Sequence, residues 1–87
     1  MKQVVYSKQF LKASLKLPKD IQKKLDALIG VLAGDPFHPL LHSKPLMGRL
    51  SQAYSFRVTR EWRVIFVFEQ GEVIRLLKVG HRKDIYR

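Results

Sequence analysis

The sequence predicts an α+β fold in the order strand, helix, helix, strand, strand, strand, with a helix hairpin packed on one face of a small, mostly antiparallel four-stranded sheet. Three observations predict it. Ile21, Leu25, Leu28, Ile29 and Leu32 recur with the period of a helix face. Tyr54, Phe56 and Val58 alternate with Ser55, Arg57 and Thr59, the period of a half-buried strand. Segments 62–68 and 73–79 are dense in aromatic and β-branched residues, and Gly71 between them suits a hairpin turn.

The remaining elements follow in chain order. Residues 3–6, with Val4, Val5 and Tyr6, form a short first strand. Ser7 caps a helix in which Phe10, Leu11 and Leu15 fall on one side as core, while Lys8, Lys12 and Lys16 recur on another as a solvated face. Pro18 suits the first turn of the second helix, and Gly34 with Asp35-Pro36 stops it. Residues 35–47, with Pro36, Pro39 and Pro45, read as a loop too short to link domains. Gly80 ends the last strand, and a basic tail follows. The 87 residues are expected to form one domain spanning 1–87. Helices on one face leave the other face of the sheet free for polar residues.

Composition narrows the function. There is no cysteine, so disulfides and thiolate chemistry are excluded. No stretch approaches the ~20 apolar residues needed to span a membrane, and the start, Met1-Lys2-Gln3-Val4, lacks a signal-peptide core. The expected location is the cytoplasm. Seventeen Lys and Arg against seven Asp and Glu give a net charge of +10. Such a domain attracts polyanions, either nucleic acid or an acidic protein. The charges are spread along the chain rather than gathered on one helix, which disfavours a membrane surface.

Alternation places Arg57 opposite the aromatic set, and Arg63 between Trp62 and Val64 can share that open face. His81 and Arg82 follow directly after the last strand. The face is thus expected to gather Arg57, Arg63 and the start of the tail, and Arg forks match phosphate oxygens in bidentate fashion. Each residue also has a plainer reading: solvated strand arginines, a surface histidine, and a terminal Tyr86 that packs on the sheet edge. His38 and His42 are four apart but sit in a proline-rich loop without cysteine or paired carboxylates, so neither a metal site nor a cofactor is expected.

Several segments together resemble the RelE/ParE toxin superfamily. They are Lys44-Pro45-Leu46-Met47-Gly48, Tyr54-Ser55-Phe56-Arg57-Val58, Trp62-Arg63-Val64-Ile65-Phe66 and the ending Val79-Gly80-His81-Arg82-Lys83-Asp84-Ile85-Tyr86-Arg87. Each piece is weak alone, but the ordered set is specific and covers nearly the whole chain. The resemblance implies a toxin of a type II toxin–antitoxin pair. RelE-like members are ribonucleases, many of which cut messenger RNA on the ribosome; ParE-like members poison DNA gyrase without a nuclease role. Arg57 and Arg63 match basic positions of the RelE-like branch. Arg82 and Tyr86 match the arginine and the aromatic near its end, and His81 matches a position where several related nucleases carry histidine. Lys44 falls where one subgroup uses a loop histidine, and Glu61 near an acidic position of that subgroup.

These residue types suit metal-independent RNA cleavage, in which the 2′-hydroxyl attacks the adjacent phosphate. His81 is expected as base or acid, a role contributing roughly 10²–10⁴-fold. Arg57, Arg63 and Arg82 would stabilise charge on the phosphate, and Tyr86 would position the nucleotide. Lys44, Arg49, Arg60 and Lys83 are the further expected RNA contacts. The implied partners are messenger RNA on the ribosome and an acidic antitoxin that folds as it wraps the toxin. Two alternatives share the fold: a gyrase poison, and a basic binding module without catalysis.

Overall fold

The computed structural model describes residues 1–86; Arg87, the last residue of the basic ending, lies outside the described residues. The elements are β1 (Gln3–Tyr6), α1 (Lys8–Leu15), α2 (Lys19–Gly34), β2 (Lys44–Pro45), β3 (Tyr54–Arg57), β4 (Trp62–Glu69) and β5 (Val73–His81), with short 3-10 turns at Pro39–Leu41 and Gly48–Leu50. The α+β class stands. The sheet, however, has five strands rather than four, in the order β1-β5-β4-β3-β2. β1 runs parallel to β5, and the other pairings are antiparallel. The fifth strand is β2, which the proline-rich sequence reads as loop. It is two residues long, pairing Lys44 with Ser55 and Pro45 with Tyr54. As an edge strand it tolerates a proline whose missing N–H need not face a neighbour.

Ser7 fixes how α1 leaves the sheet. Its Oγ accepts the Phe10 N–H at 3.0 Å and donates to the Leu77 carbonyl at 2.9 Å. The side of α1 that meets the core differs from the expected one. Phe10, Ala13 and Leu17 form the stripe that reaches the main cluster, whereas Leu11 and Leu15 are 48% and 78% exposed. Phe10 and Ala13 are three residues apart on one helical face, and Leu17, just past the helix end at Leu15, continues that face, whereas Leu11 and Leu15 lie about 100° round from it. α2 follows its periodicity, burying Leu25, Leu28 and Leu32 with Ile21 and Ile29 packed beside them.

Both helices cover the sheet face that carries Phe56, Val64, Phe66, Ile74 and Leu76. Each such side chain contributes ~1.5–3 kcal/mol by leaving water. The opposite face is less open than expected. Ala53, Ile65 and Ile85 are buried there, with Leu46, Leu50, Val67 and Leu77 packed on them. The loop after β2 and the C-terminal turn therefore roof part of this face.

One irregularity in β5 decides what the faces carry. Ile65 pairs with Lys78 but Phe66 pairs with Leu76, so Leu77 is an extra residue, a β-bulge. Simple alternation from Ile74 and Leu76 would send Lys78 to the helix side and His81 to the open side. The bulge reverses the parity after it.

Candidate nucleic-acid interface

Two adjacent rows of residues cross the sheet on the face away from the helices. One row is Lys78, Ile65, Ser55 and Lys44, paired in turn across β5, β4, β3 and β2. The next is Gly80, Arg63 and Arg57. Rows on one face lie two residues apart, about 7 Å along the strands. Four cations, Lys44, Lys78, Arg57 and Arg63, thus emerge from one patch of backbone.

The tail is folded back over this patch. The Ile85 N–H bonds the His81 carbonyl at 3.0 Å and the Asp84 N–H bonds the same carbonyl at 2.9 Å, a single helical turn. The turn buries Ile85 against Ile65. It carries Tyr86 to a groove of about 770 Å³ lined by Lys44, Pro45, Leu46, Met47, Arg49, Leu50, Lys78 and Tyr86. Lys44 and Arg49, expected as RNA contacts, and Tyr86, expected to position the nucleotide, all line it. Lys78 and Met47 were not singled out from sequence. Lys78 reaches the groove only because the bulge turns it there. Met47 carries no pattern in the sequence that marks it, yet it is 89% exposed beside the groove.

Arg63 is the most enclosed of the cations, 9% exposed. Its Nε and one terminal nitrogen donate to the Arg60 carbonyl at 3.4 and 3.2 Å. Arg57 stands directly opposite it in the ladder, at the edge of a second groove that Arg60 also lines.

His81 is not on the open face. It pairs with Trp62, whose ring meets the imidazole edge-on at a centroid distance of 5.5 Å, and Trp62 packs on the helix-side core. The expected grouping of His81 with Arg57 and Arg63 is thus corrected by the parity change at Leu77. His81 Nδ1 accepts the Lys83 N–H at 3.2 Å. A ring nitrogen that accepts a hydrogen bond is unprotonated, so the neutral ring carries its proton on Nε2. Arg82 and Lys83 sit exposed on the turn, and the Arg82 N–H bonds the Glu61 carbonyl at 2.7 Å. His38 has a structural task, accepting the Leu40 N–H at Nδ1.

The two ion pairs among the described residues lie near the β4–β5 turn, Lys2 with Glu72 at 3.9 Å and Arg75 with Glu69 at 2.8 Å. The hydrogen bond from Arg75 holds the Glu69 carboxyl below its ordinary range, and Arg75 is raised in turn. Neither pair includes Lys44, Arg49, Arg57 or Arg63. Those four cations are therefore not spent on an ion pair among the described residues. Clustered cations without carboxylates attract phosphate, and an aromatic ring beside them offers a stacking surface for a base. No described helix is long and apolar enough to cross a membrane.

The sequence model of a family described as the YoeB-like toxin of bacterial type II toxin–antitoxin systems matches residues 9–82. No curated protein sequence matches at a significant level. Among solved structures, the fold is similar to the YoeB/ParE toxin from Agrobacterium tumefaciens, with a TM-score of 0.80 and 19% identity over 92% of this chain and 98% of that one. It is similar to YafQ from E. coli strain BL21(DE3), with a TM-score of 0.80, 21% identity and 100% of both chains covered. It is also similar to a chain of the archaeal RelE–RelB complex from Pyrococcus horikoshii OT3, with a TM-score of 0.79 and 25% identity over 95% of this chain and 97% of that one.

Proposed function

The chain belongs to the YoeB-like toxin family of bacterial type II toxin–antitoxin systems, within the RelE/ParE-type superfamily, and from that premise we propose that it is an endoribonuclease that cuts messenger RNA on the ribosome and is silenced by an acidic antitoxin. The observation that carries this reading is the pair of adjacent rows on the open face, with Tyr86 folded over the groove beside them.

The reaction needs no metal in this scheme. The 2′-hydroxyl gives its proton to water as its oxygen attacks the neighbouring phosphate; a 2′,3′-cyclic phosphate forms, the bond to the 5′-oxygen breaks, and that oxygen takes up a proton from water. Arg63 and Arg57 stabilise the charge that accumulates on the phosphate; such preorganised donors contribute ~10²–10³-fold each. Lys44, Arg49 and Lys78 hold the backbone of the strand and Tyr86 stacks on a base. Arg82, Lys83 and Arg60 extend the positive surface toward ribosomal RNA. His81, with Nδ1 occupied, acts as a donor through Nε2 toward the departing oxygen from the end of the sheet. In that state it has no free nitrogen with which to take the 2′-hydroxyl proton. The antitoxin partner is supported by the charge of +10 and by the likeness to a toxin chain solved as the RelE–RelB complex.

The test is a primer-extension map of cellular transcripts after a short pulse of expression, comparing wild type with Arg63→Ala and Tyr86→Ala together. New cuts inside translated regions that vanish in the variant are the expected result. Growth arrest without cuts points instead to a gyrase poison, and neither effect leaves a basic binding module.

A further inference from the structure

The loop after β2 is pinned on both sides of one residue. The Leu46 N–H bonds the Ala53 carbonyl at 2.9 Å, and the Ala53 N–H bonds the Leu50 carbonyl at 2.9 Å. Leu46 and Leu50 pack on the cluster that roofs the open face. Gly48 turns the chain between them at a φ of 71°, a setting that suits glycine. Met47, in extended backbone just before it, stays out of that cluster and is 89% exposed. A single exposed apolar side chain is ordinary on a protein surface. Met47 differs by its place: it lines the same groove as Tyr86, with Lys44 and Arg49 in the same lining. Neither ion pair among the described residues includes those two cations, and no described carboxylate lines the groove.

We propose that Met47 is the second wall of a slot for a single unstacked nucleobase, with Tyr86 as the first. This rests on the reading of the groove as an RNA site and names what the groove grips. A nucleotide offers a charged phosphate and a base with two flat faces. One ring covers one face, and the other stays in water unless a second apolar group closes over it. Methionine suits that place. Its chain is unbranched, its polarizable sulfur packs favourably on aromatic rings, and it adapts to rings of different size. The anchored leucines fix the backbone on either side, so only the side chain has to order when the base arrives. An apolar peptide would use the slot but not the cations beside it; a single strand uses both. The thioether also gives the slot a chemical off-switch. Hydrogen peroxide transfers one oxygen atom to the sulfur and leaves as water, and the resulting sulfoxide is polar. The chain has no cysteine to intercept the oxidant, and its other methionine is Met1.

The test is binding of an uncuttable strand by the full chain. The strand consists of abasic spacers around one 2-aminopurine with a 2′-methoxy group, whose fluorescence falls when the base is stacked. An all-abasic strand of the same length is the control. Wild type is expected to quench the base. Met47→Leu should bind like wild type. Met47→Gln should bind roughly fivefold more weakly, with less quenching and an unchanged thermal midpoint. On the all-abasic strand both variants should equal wild type, which a merely structural role would not produce. Hydrogen peroxide should reproduce the Met47→Gln loss in wild type and leave Met47→Leu unaffected. Equal binding of the aminopurine strand by Met47→Gln and wild type, or an equal loss on the all-abasic strand, overturns the slot and leaves the RNA reading standing. A loss in Met47→Leu as large as in Met47→Gln also overturns it. If wild type binds neither strand, the groove is no RNA site and both readings fall.

Discussion

Trp62 stands directly opposite His81 in the β4–β5 ladder, ring against ring at 5.5 Å. The rings meet at right angles, and the Lys83 N–H on Nδ1 sets the tautomer of the imidazole. A donor role can be partly replaced by an amide, a proton-transfer role cannot. Loss of that donor in His81→Ala is expected to lower the cleavage rate by ~10²-fold. His81→Gln should recover part of that loss in single-turnover cleavage of a defined RNA. Equal losses in the two variants would mean that the ring itself transfers the proton.

Arg63 is held by the Arg60 carbonyl and is nearly enclosed. Arg63→Ala therefore has two effects. It removes a phosphate donor, and it costs about 1 kcal/mol of stability through the lost hydrogen bonds. For a domain of this size, 1 kcal/mol moves the thermal midpoint by ~4–8 °C. Arg63→Lys should restore charge but not the forked donors. Cleavage that returns fully in Arg63→Lys would refute the bidentate role.

Ile85 is the hinge pin of the tail. Ile85→Ala is expected to cost ~2 kcal/mol, at the low end for such a truncation, because the small cluster can partly collapse. The tail should then release Tyr86, so Ile85→Ala and Tyr86→Ala should weaken RNA binding alike, by ~1–3 kcal/mol for a lost stack. Titration of RNA with each variant checks this; tight binding by Ile85→Ala would show that Tyr86 finds its place unaided.

Lys44 and Arg49 border the Tyr86 groove. If each neutralises one phosphate of a single strand, replacing either by Ala lowers the slope of log Kd against log salt by about 0.7. Affinities measured across a range of potassium chloride decide it. An unchanged slope would remove that residue from the phosphate contacts.

Glu69 titrates below its ordinary range because Arg75 bonds it. A lowered folded pKa contributes stability above the carboxyl's unfolded range, and that contribution disappears as the pH falls through the lowered value. Both groups are exposed, so the effect is small. Glu69→Gln should leave the thermal midpoint at neutral pH nearly unchanged and slightly flatten its acid limb. A steeper acid limb in the variant would reverse the sign assigned here.

The elements with sustained periodicity were legible in the sequence. α2 shows its buried leucines and β4 its aromatic and β-branched density, because their packing is repeated over several turns or pairs. β2 was hidden, since two residues containing a proline carry no period of their own and become a strand only when β3 lies beside them. In α1, Phe10 belongs to two apolar stripes, one with Leu11 and Leu15 and one with Ala13 and Leu17, and so short a helix does not show from sequence which faces the core. The site was half legible. Alternation pointed to Arg57 and Arg63, and the family resemblance to Lys44 and Tyr86, but faces are counted by twos, and one inserted residue at Leu77 exchanged the places of Lys78 and His81. A bulge is a property of the pairing, so a single strand read alone does not display it.

The parallel pairing of β1 with β5 also bears on how the protein is made. Ser7 is anchored to Leu77, seventy residues further along the chain. Synthesis begins at the N-terminus, so β1 and the start of α1 wait without their partner until β5 has been made. Loops this long close slowly. An interrupted translation product ending before β5 lacks the strand that joins both edges of the sheet, along with Lys78 and Tyr86 of the groove. The topology thus ties the finished sheet and the Tyr86 groove to the making of β5: a product that stops short of it has neither.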